Sequence, residues 1–196
     1  MKGLRFRFRI HSYNQINIYE SKLCMMKKMI FLILFLSFSS LLQGQIDTTA
    51  VKTIKGITDK MIEIISGDID EERNWDAYRN LFLPTAQKAS IRISRDGKTS
   101  VRSLNLEEFI RNTGPLYARD GFEEYALGLT VNEYNGIAVV FQSYYCRNLI
   151  GTYEKRGINS YQLVYMDDRW WIANTLFTAE DPENPIPEKF LNAGKE

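Results

Sequence analysis

Histidine and cysteine are almost missing from this sequence. The 196-residue chain has one histidine, His11, and two cysteines, Cys24 and Cys146. His11 and Cys24 fall in an N-terminal block read below as a leader, which leaves Cys146 alone. A single thiol makes no intrachain disulfide, and histidine or multi-cysteine metal sites are excluded from what remains. No metal and no cofactor is therefore expected. Long apolar runs are scarce too. Positions 29–42 (MIFLILFLSFSSLL) span about fourteen residues, short of the ~20 that a membrane-crossing helix needs. There are no internal repeats and no linker that would argue for a second domain.

Short as it is, that apolar run has a recognisable setting. Lys27 and Lys28 precede it and the polar, small segment Gln43-Gly44-Gln45 follows it, the order of a secretory signal peptide. We assign positions 25–45 to a cleaved leader, with translation starting at Met25 or Met26. Positions 1–24 are then an upstream block or an extended leader. No cysteine follows the apolar core, so neither a lipid anchor nor a membrane anchor is expected after cleavage. The mature chain should begin near Gln45 or Ile46 and be periplasmic or extracellular. Positions 1–45 hold seven of the 25 basic residues and one of the 24 acidic ones, which leaves 18 and 23 and a net charge of −5. A mildly acidic chain without a basic run has no footprint for nucleic acid. Positions 46–196 suffice for one domain with a real core.

What is present is β-rich and aromatic. Positions 157–181 (GINSYQLVYMDDRWWIANTLFTAED) hold two strand-favouring runs, 158–166 and 170–178, around the charged turn Asp167-Asp168-Arg169, a hairpin pattern. Neither face is cleanly polar, so both should be covered. Upstream, apolar residues at helical spacing over 48–66 predict a helix, with Asp47 and Thr48 as candidate caps. A second helix is expected over 71–83, stopped by Pro84. Two short strands, 88–94 and 99–104, flank a turn with Asp96-Gly97. Asn105 should cap a third helix running from 106 to about 117. Strands over 122–131 and 137–147 join through Asn135-Gly136, and positions 181–187 read as a proline-rich tail. Helices segregated from long antiparallel strands make an α+β roll.

The order of elements, with NWDAYRNLF, VVFQSYYCR, RGINSYQL and RWWI, resembles the nuclear transport factor 2-like (SnoaL-like, cystatin-like roll) superfamily over roughly positions 46–191. The run from Arg156 to Leu191 is especially similar to an uncharacterised secreted bacterial branch. The resemblance implies a cone: a curved antiparallel sheet with three helices covering its concave face around an apolar cavity. It also implies dimerisation sheet to sheet. The superfamily includes isomerases, dehydratases, cyclases, epoxide hydrolases and plain binding or assembly modules, so it names no reaction.

Enzymes of this kind commonly use an aspartate base with tyrosine donors, or a His–Asp pair. Here the second is impossible and no aspartate falls inside a predicted long strand, which weighs against an enzyme. Asp76 reads as a solvated helix acid and Cys146 as a small buried hydrophobe. The weak catalytic candidate is Glu124, since alternation turns one of Glu123 and Glu124 inward. Tyr125, Leu127, Leu129 and Val131 form one set by alternation, leaving Glu124 with Ala126 and Gly128. The expected pocket comprises Trp75, Tyr78, Phe109, Tyr144, Arg147, Asn159, Gln162 and Trp171. Tyr78 and Trp171 would approach from opposite walls, Gln162 or Asn159 would orient a ligand, and Glu124 with Arg147 would lie toward the mouth. Trp170 and Ile172 would face outward, into a homodimer contact through the convex face. The function expected is a secreted binding module for a small apolar or amphipathic molecule. The alternatives are a lyase or isomerase using Glu124 and cavity tyrosines, and a structural dimer with a filled cone.

Overall fold

The computed structural model describes residues 48–94 and 96–191. The leader assigned to 25–45, the upstream block 1–24 and Asp47 lie outside the described residues. After a single 3-10 turn at Ala50–Lys52 come helices α1 (Ile54–Ile65) and α2 (Trp75–Arg79), strands β1 (Phe82–Ile93) and β2 (Thr99–Asn105), and helix α3 (Leu106–Asp120). Strands β3 (Glu123–Tyr134), β4 (Ile137–Arg147), β5 (Glu154–Met166) and β6 (Arg169–Ala179) follow, then a 3-10 turn at Glu188–Phe190. The strands form one six-stranded sheet in the order β2-β1-β6-β5-β4-β3. This is the α+β roll expected, with one correction: β1 runs parallel to β6, so the sheet is mixed rather than wholly antiparallel.

Local chemistry explains most boundaries. Thr53 caps α1 through its side chain, which accepts from the Gly56 amide. Asn105 and Glu108 close a capping box on α3, and that helix runs on to Asp120. The turn residues Asn135 and Gly136 both have positive φ, as do Asp167 and Asp168, the geometry of tight hairpins that match strand twist. The second helix is much shorter than expected. Asn74 caps it by accepting from the Ala77 amide, and the chain is already strand by Phe82. Pro84 does not break the element, because it falls where the β1–β6 register shifts, between Phe82 and Gln87. A missing N–H there costs no ladder bond.

The loop before α2 is organised by a residue that the sequence did not single out. Arg73 is 6% exposed. Its guanidinium donates to the carbonyls of Ile65, Gly67, Asp68, Glu71 and Tyr117. It thereby ties the end of α1 to α3, and Gly67 pairs with Phe122 just before β3.

Two β-bulges decide which side chains face the helices. In β3, Ala126 pairs with Tyr144 but Gly128 with Ser143, so Leu127 is the extra residue. Glu124, opposite Cys146, therefore shares a face with Leu129 and Val131, opposite Gln142 and Val140, and not only with Ala126. In β6, Leu163 pairs with Ile172 and Gln162 with Asn174, leaving Ala173 over. Trp170 and Ile172 are consequently core residues, 5% and 0% exposed, and not outward positions. The core joins Ile57, Met61 and Ile65 of α1, Tyr78 of α2 and Phe109 of α3 to Val140, Tyr144, Tyr161 and Leu163 of the sheet. Gly157 lets β5 pass close by: an added Cβ would collide with the Thr178 carbonyl and the Tyr144 ring. Gly157→Ala should lower the melting temperature and disturb Tyr144, read by thermal denaturation and by the Tyr144 ring resonances.

The C-terminal segment is no loose tail. Ser143 donates to the Phe190 carbonyl at 2.6 Å, and the Phe141 and Phe190 rings lie 5.3 Å apart. The last turn thus covers the outer side of β3 and β4.

Candidate functional site

Between the helices and the inner face of the sheet lies a cavity of about 380 Å³. A larger groove of about 1230 Å³ runs along the β3–β5 strands past Lys55 and Gln162. It holds none of the buried titratable groups described next, so the chemistry belongs to the smaller cavity. Its walls come from Met61 and Ile65 of α1, Tyr78 of α2, Phe109 and Tyr117 of α3, and Tyr144, Cys146, Asn159 and Phe177 of the sheet. The exposed Arg92 and Arg119 also line it, which places two guanidinium groups at its rim.

Two charged residues turn inward. Glu124 accepts a hydrogen bond from Asn159 Nδ2 at 2.9 Å, and its own amide donates to Ser66 Oγ at 3.1 Å. Burial pushes the Glu124 carboxyl up to about 7, against the opposing pull of Asn159 and Lys88. As a residue Glu124 is only half-buried; part of its surface faces the cavity itself, and enclosure there still deprives the charge of bulk water.

Lys88, on β1, is 6% exposed. Its Nζ stands 4.6 Å from the ring centroid of Phe109, 5.2 Å from that of Phe82 and 5.6 Å from that of Tyr78. Burial brings the amine down to about 8, with Glu124 acting in the other direction. No ion pair joins Lys88 to Glu124 among the described residues. The Tyr78 hydroxyl nearby is buried and has no hydrogen-bond partner among the described residues. Glu124 also helps to raise the pKa of Tyr78, Tyr117, Tyr144 and Tyr161, after burial in each case. Burial likewise pushes the Cys146 thiol up to about 12, far from a reactive thiolate.

The pair makes stability depend on pH in an unusual way. Glu124 binds its proton more tightly folded than unfolded, so its contribution is complete below about 4.5 and lost as pH rises through about 7. Lys88 binds its proton less tightly when folded, so its contribution is complete above 10.5 and lost as pH falls through about 8. Between those midpoints neither stabilises the fold. A protein that holds two ionisable groups at such a cost is the pattern of a functional site.

The structure brings some of the expected pocket residues together and separates others. Tyr78, Phe109, Tyr144, Asn159 and Glu124 line the cavity. Trp75 does not; it packs edge-on against Tyr78, with centroids 5.5 Å apart, and behind Tyr117. Arg147 is exposed and pairs with Glu123 at 2.8 Å on the far face, because Glu123 and Arg147 are register partners one residue out of phase with Glu124. Gln162 is also on the outer face, accepting from Asn174 at 3.0 Å. Trp171 is stacked under Arg169 at 3.9 Å and donates to the Met166 carbonyl. Lys88 was not anticipated. Its only sequence signal is a run of small inward neighbours, Ala86 and Ser90, both buried.

No family model matches the chain. No curated protein matches it either. Solved structures do resemble it. A candidate scytalone dehydratase from Novosphingobium aromaticivorans is 10% identical, with a TM-score of 0.51 over 69% of this chain and 88% of that one. The β subunit of a candidate aromatic-ring-hydroxylating dioxygenase from the same organism is 9% identical, with a TM-score of 0.51 over 68% and 90%. A candidate dehydratase of the NTF2-like family from Streptomyces avermitilis is 12% identical, with a TM-score of 0.50 over 68% and 97%. At such identities the likeness speaks to architecture alone: the chain has the nuclear transport factor 2-like fold.

Proposed function

We propose that this protein is a small-molecule-binding module whose cavity takes an amphipathic ligand with an apolar body and an oxygen-bearing tip. The observation that carries the reading is Lys88, a buried cation with aromatic faces around it and no hydrogen-bond acceptor among the described residues. Buried charges are normally paired, so a ligand carboxylate or carbonyl oxygen is the natural partner. Phe109, Tyr117, Tyr144 and Phe177 suit an apolar or aromatic body. Arg92 at the rim favours entry of an anion, whereas Arg119 there is already paired with Asp120 at 2.6 Å. A cavity of about 380 Å³ favours binding over a cone filled by its own side chains.

Benzoate is a suitable probe, with binding followed by amide chemical shifts. It should perturb residues around Lys88 and Phe109 and bind less well as pH rises through about 8, where Lys88 loses its proton. Lys88→Met should abolish the effect; unchanged affinity in that variant would sink the reading. Native mass spectrometry of freshly purified protein, looking for a co-purified ligand, would then identify the natural occupant.

A second reading rests on Glu124. A carboxyl near 7 can act as general base or acid at neutral pH, as a lyase or isomerase of this fold would require. Glu124→Gln separates the two: it would remove nearly all turnover of a proton-transfer enzyme, whereas a binding module changes affinity only a few-fold.

The proposal includes export, supported by the basic–apolar–polar order at 27–45, and a homodimer. Support for the dimer comes from exposed Ile137, Val139, Met166 and Leu176 on the outer face of the sheet. The C-terminal turn already covers the β3–β4 part of that face, so the contact would centre on β5 and β6. Leu176→Arg, on β6, should shift the mass in light scattering from dimer to monomer; a monomeric wild type at micromolar concentration contradicts the dimer.

A further inference from the structure

We propose that Lys88 is a nucleophilic amine that condenses with the carbonyl group of a small aldehyde or ketone in the cavity, with Glu124 carrying the protons. The inference rests on the binding reading above and makes its ligand class narrower. Three observations converge on it. Lys88 Nζ stands among the rings of Tyr78, Phe82 and Phe109, within 5.6 Å of each centroid, and it has no hydrogen-bond acceptor among the described residues. Glu124 reaches the same cavity from β3, oriented by Asn159 at 2.9 Å, without forming an ion pair that would mask the amine. Apart from the polar rim, the walls are largely apolar and aromatic, which limits water and so the hydrolysis of an imine once formed.

The amine is also available. With Lys88 near 8, roughly a tenth is neutral at pH 7, against less than about one part in a thousand for an ordinary lysine. Buried lysines of this kind are the ones that form Schiff bases.

The step balances without an outside reagent. The Nζ lone pair attacks the carbonyl carbon, and the C–O π pair moves to oxygen, which takes a proton from the Glu124 carboxylic acid. The resulting carboxylate removes one proton from the tetrahedral nitrogen, giving the carbinolamine. Glu124, acid again, protonates the hydroxyl, which leaves as water while the nitrogen lone pair forms the C=N bond. The products are one water, an iminium and the Glu124 carboxylate, an ion pair inside the cavity. The ring faces around Nζ stabilise the delocalised iminium cation as they do the ammonium.

Benzaldehyde with sodium cyanoborohydride at pH 7 tests this on the intact chain, because reduction fixes the imine as a benzylamine that peptide mapping locates. Lys88 should be labelled at least about tenfold faster than the exposed Lys55 and Lys98, given its larger neutral fraction. Glu124→Gln should slow labelling at Lys88 while leaving Lys55 and Lys98 unchanged. Labelling of Lys88 no faster than of Lys55 overturns the proposal. Benzyl alcohol, which fits the same walls but has no carbonyl, distinguishes the two levels. Benzyl alcohol bound with Lys88 unlabelled refutes the imine and leaves the binding module standing. Neither benzyl alcohol bound nor Lys88 labelled refutes both.

Discussion

Lys88→Met should make the protein more stable while removing its capacity for ligand. Holding the amine in the cavity lowers its pKa from 10.5 to about 8, which corresponds to ~3 kcal/mol of charge burial at neutral pH. Methionine keeps the length of the side chain and carries no charge to desolvate. Part of the gain is offset, since the ammonium lies over three rings and such contacts contribute about 0.5–2 kcal/mol. A net stabilisation of about 1–3 kcal/mol is expected. The sign of its pH dependence follows from the same shift. The gain should be full below about 8 and vanish as pH approaches 10.5, where the lysine is neutral folded and unfolded alike. Chemical denaturation of both proteins at pH 6, 7.5 and 10 measures it. A destabilised variant at pH 6 would mean that Lys88 is a structural cation, held by the rings for the fold's sake.

Arg73→Met should act in the opposite direction, and strongly. Five carbonyl oxygens converge on one buried guanidinium, and methionine leaves all of them without that donor. Charge-assisted hydrogen bonds contribute about 1.5–3 kcal/mol each but are far from additive where water can enter. A loss of about 4 kcal/mol is expected, which lowers the melting temperature of a domain this size by roughly 10 °C. Arg73→Lys should recover only part of it, because an ammonium cannot span the same fan of acceptors. Hydrogen exchange gives the local view: the Gly67 and Phe122 amides, which bridge the end of α1 to the start of β3, should lose protection first. Equal stability of Arg73→Met and wild type would contradict the role assigned to this residue.

The sequence made the fold readable where chemistry is local. Asn105 with Glu108 announces α3, and Asn135-Gly136 announces the β3–β4 hairpin, because caps and turns are fixed by neighbouring residues. Side-chain direction was harder, since it is inherited along a strand. Counting in twos from Tyr125 to Val131 ignores the extra residue at Leu127, and counting from Trp170 onward ignores the one at Ala173. Each bulge inverts the assignment beyond it, which is why Trp171 was expected in the cavity and lies outside it; Gln162, on the unbulged β5, is out of phase with the inward Asn159 and Tyr161. Lys88 was invisible for another reason. A lysine in a short amphipathic strand reads as solvent-facing, and its burial comes from Tyr78, Phe82 and Phe109, residues six to twenty-one positions away. The parallel pairing of β1 with β6 was equally out of reach, because it joins segments about ninety residues apart. Glu124 could be nominated because two adjacent strand acids must face opposite ways, although Arg147, expected beside it, pairs with Glu123 instead.

The most direct measurement is the titration of the Glu124 side-chain carboxyl carbon by NMR, in wild type and in Lys88→Met. A cavity in which a buried carboxyl and a buried amine face one ligand space requires the wild-type midpoint near 7. It also requires that midpoint to rise when the Lys88 charge is removed, because Lys88 is one of the groups that draw it down. A midpoint near 4.5 that is indifferent to Lys88→Met would contradict the account, since Glu124 would then be a solvated rim acid.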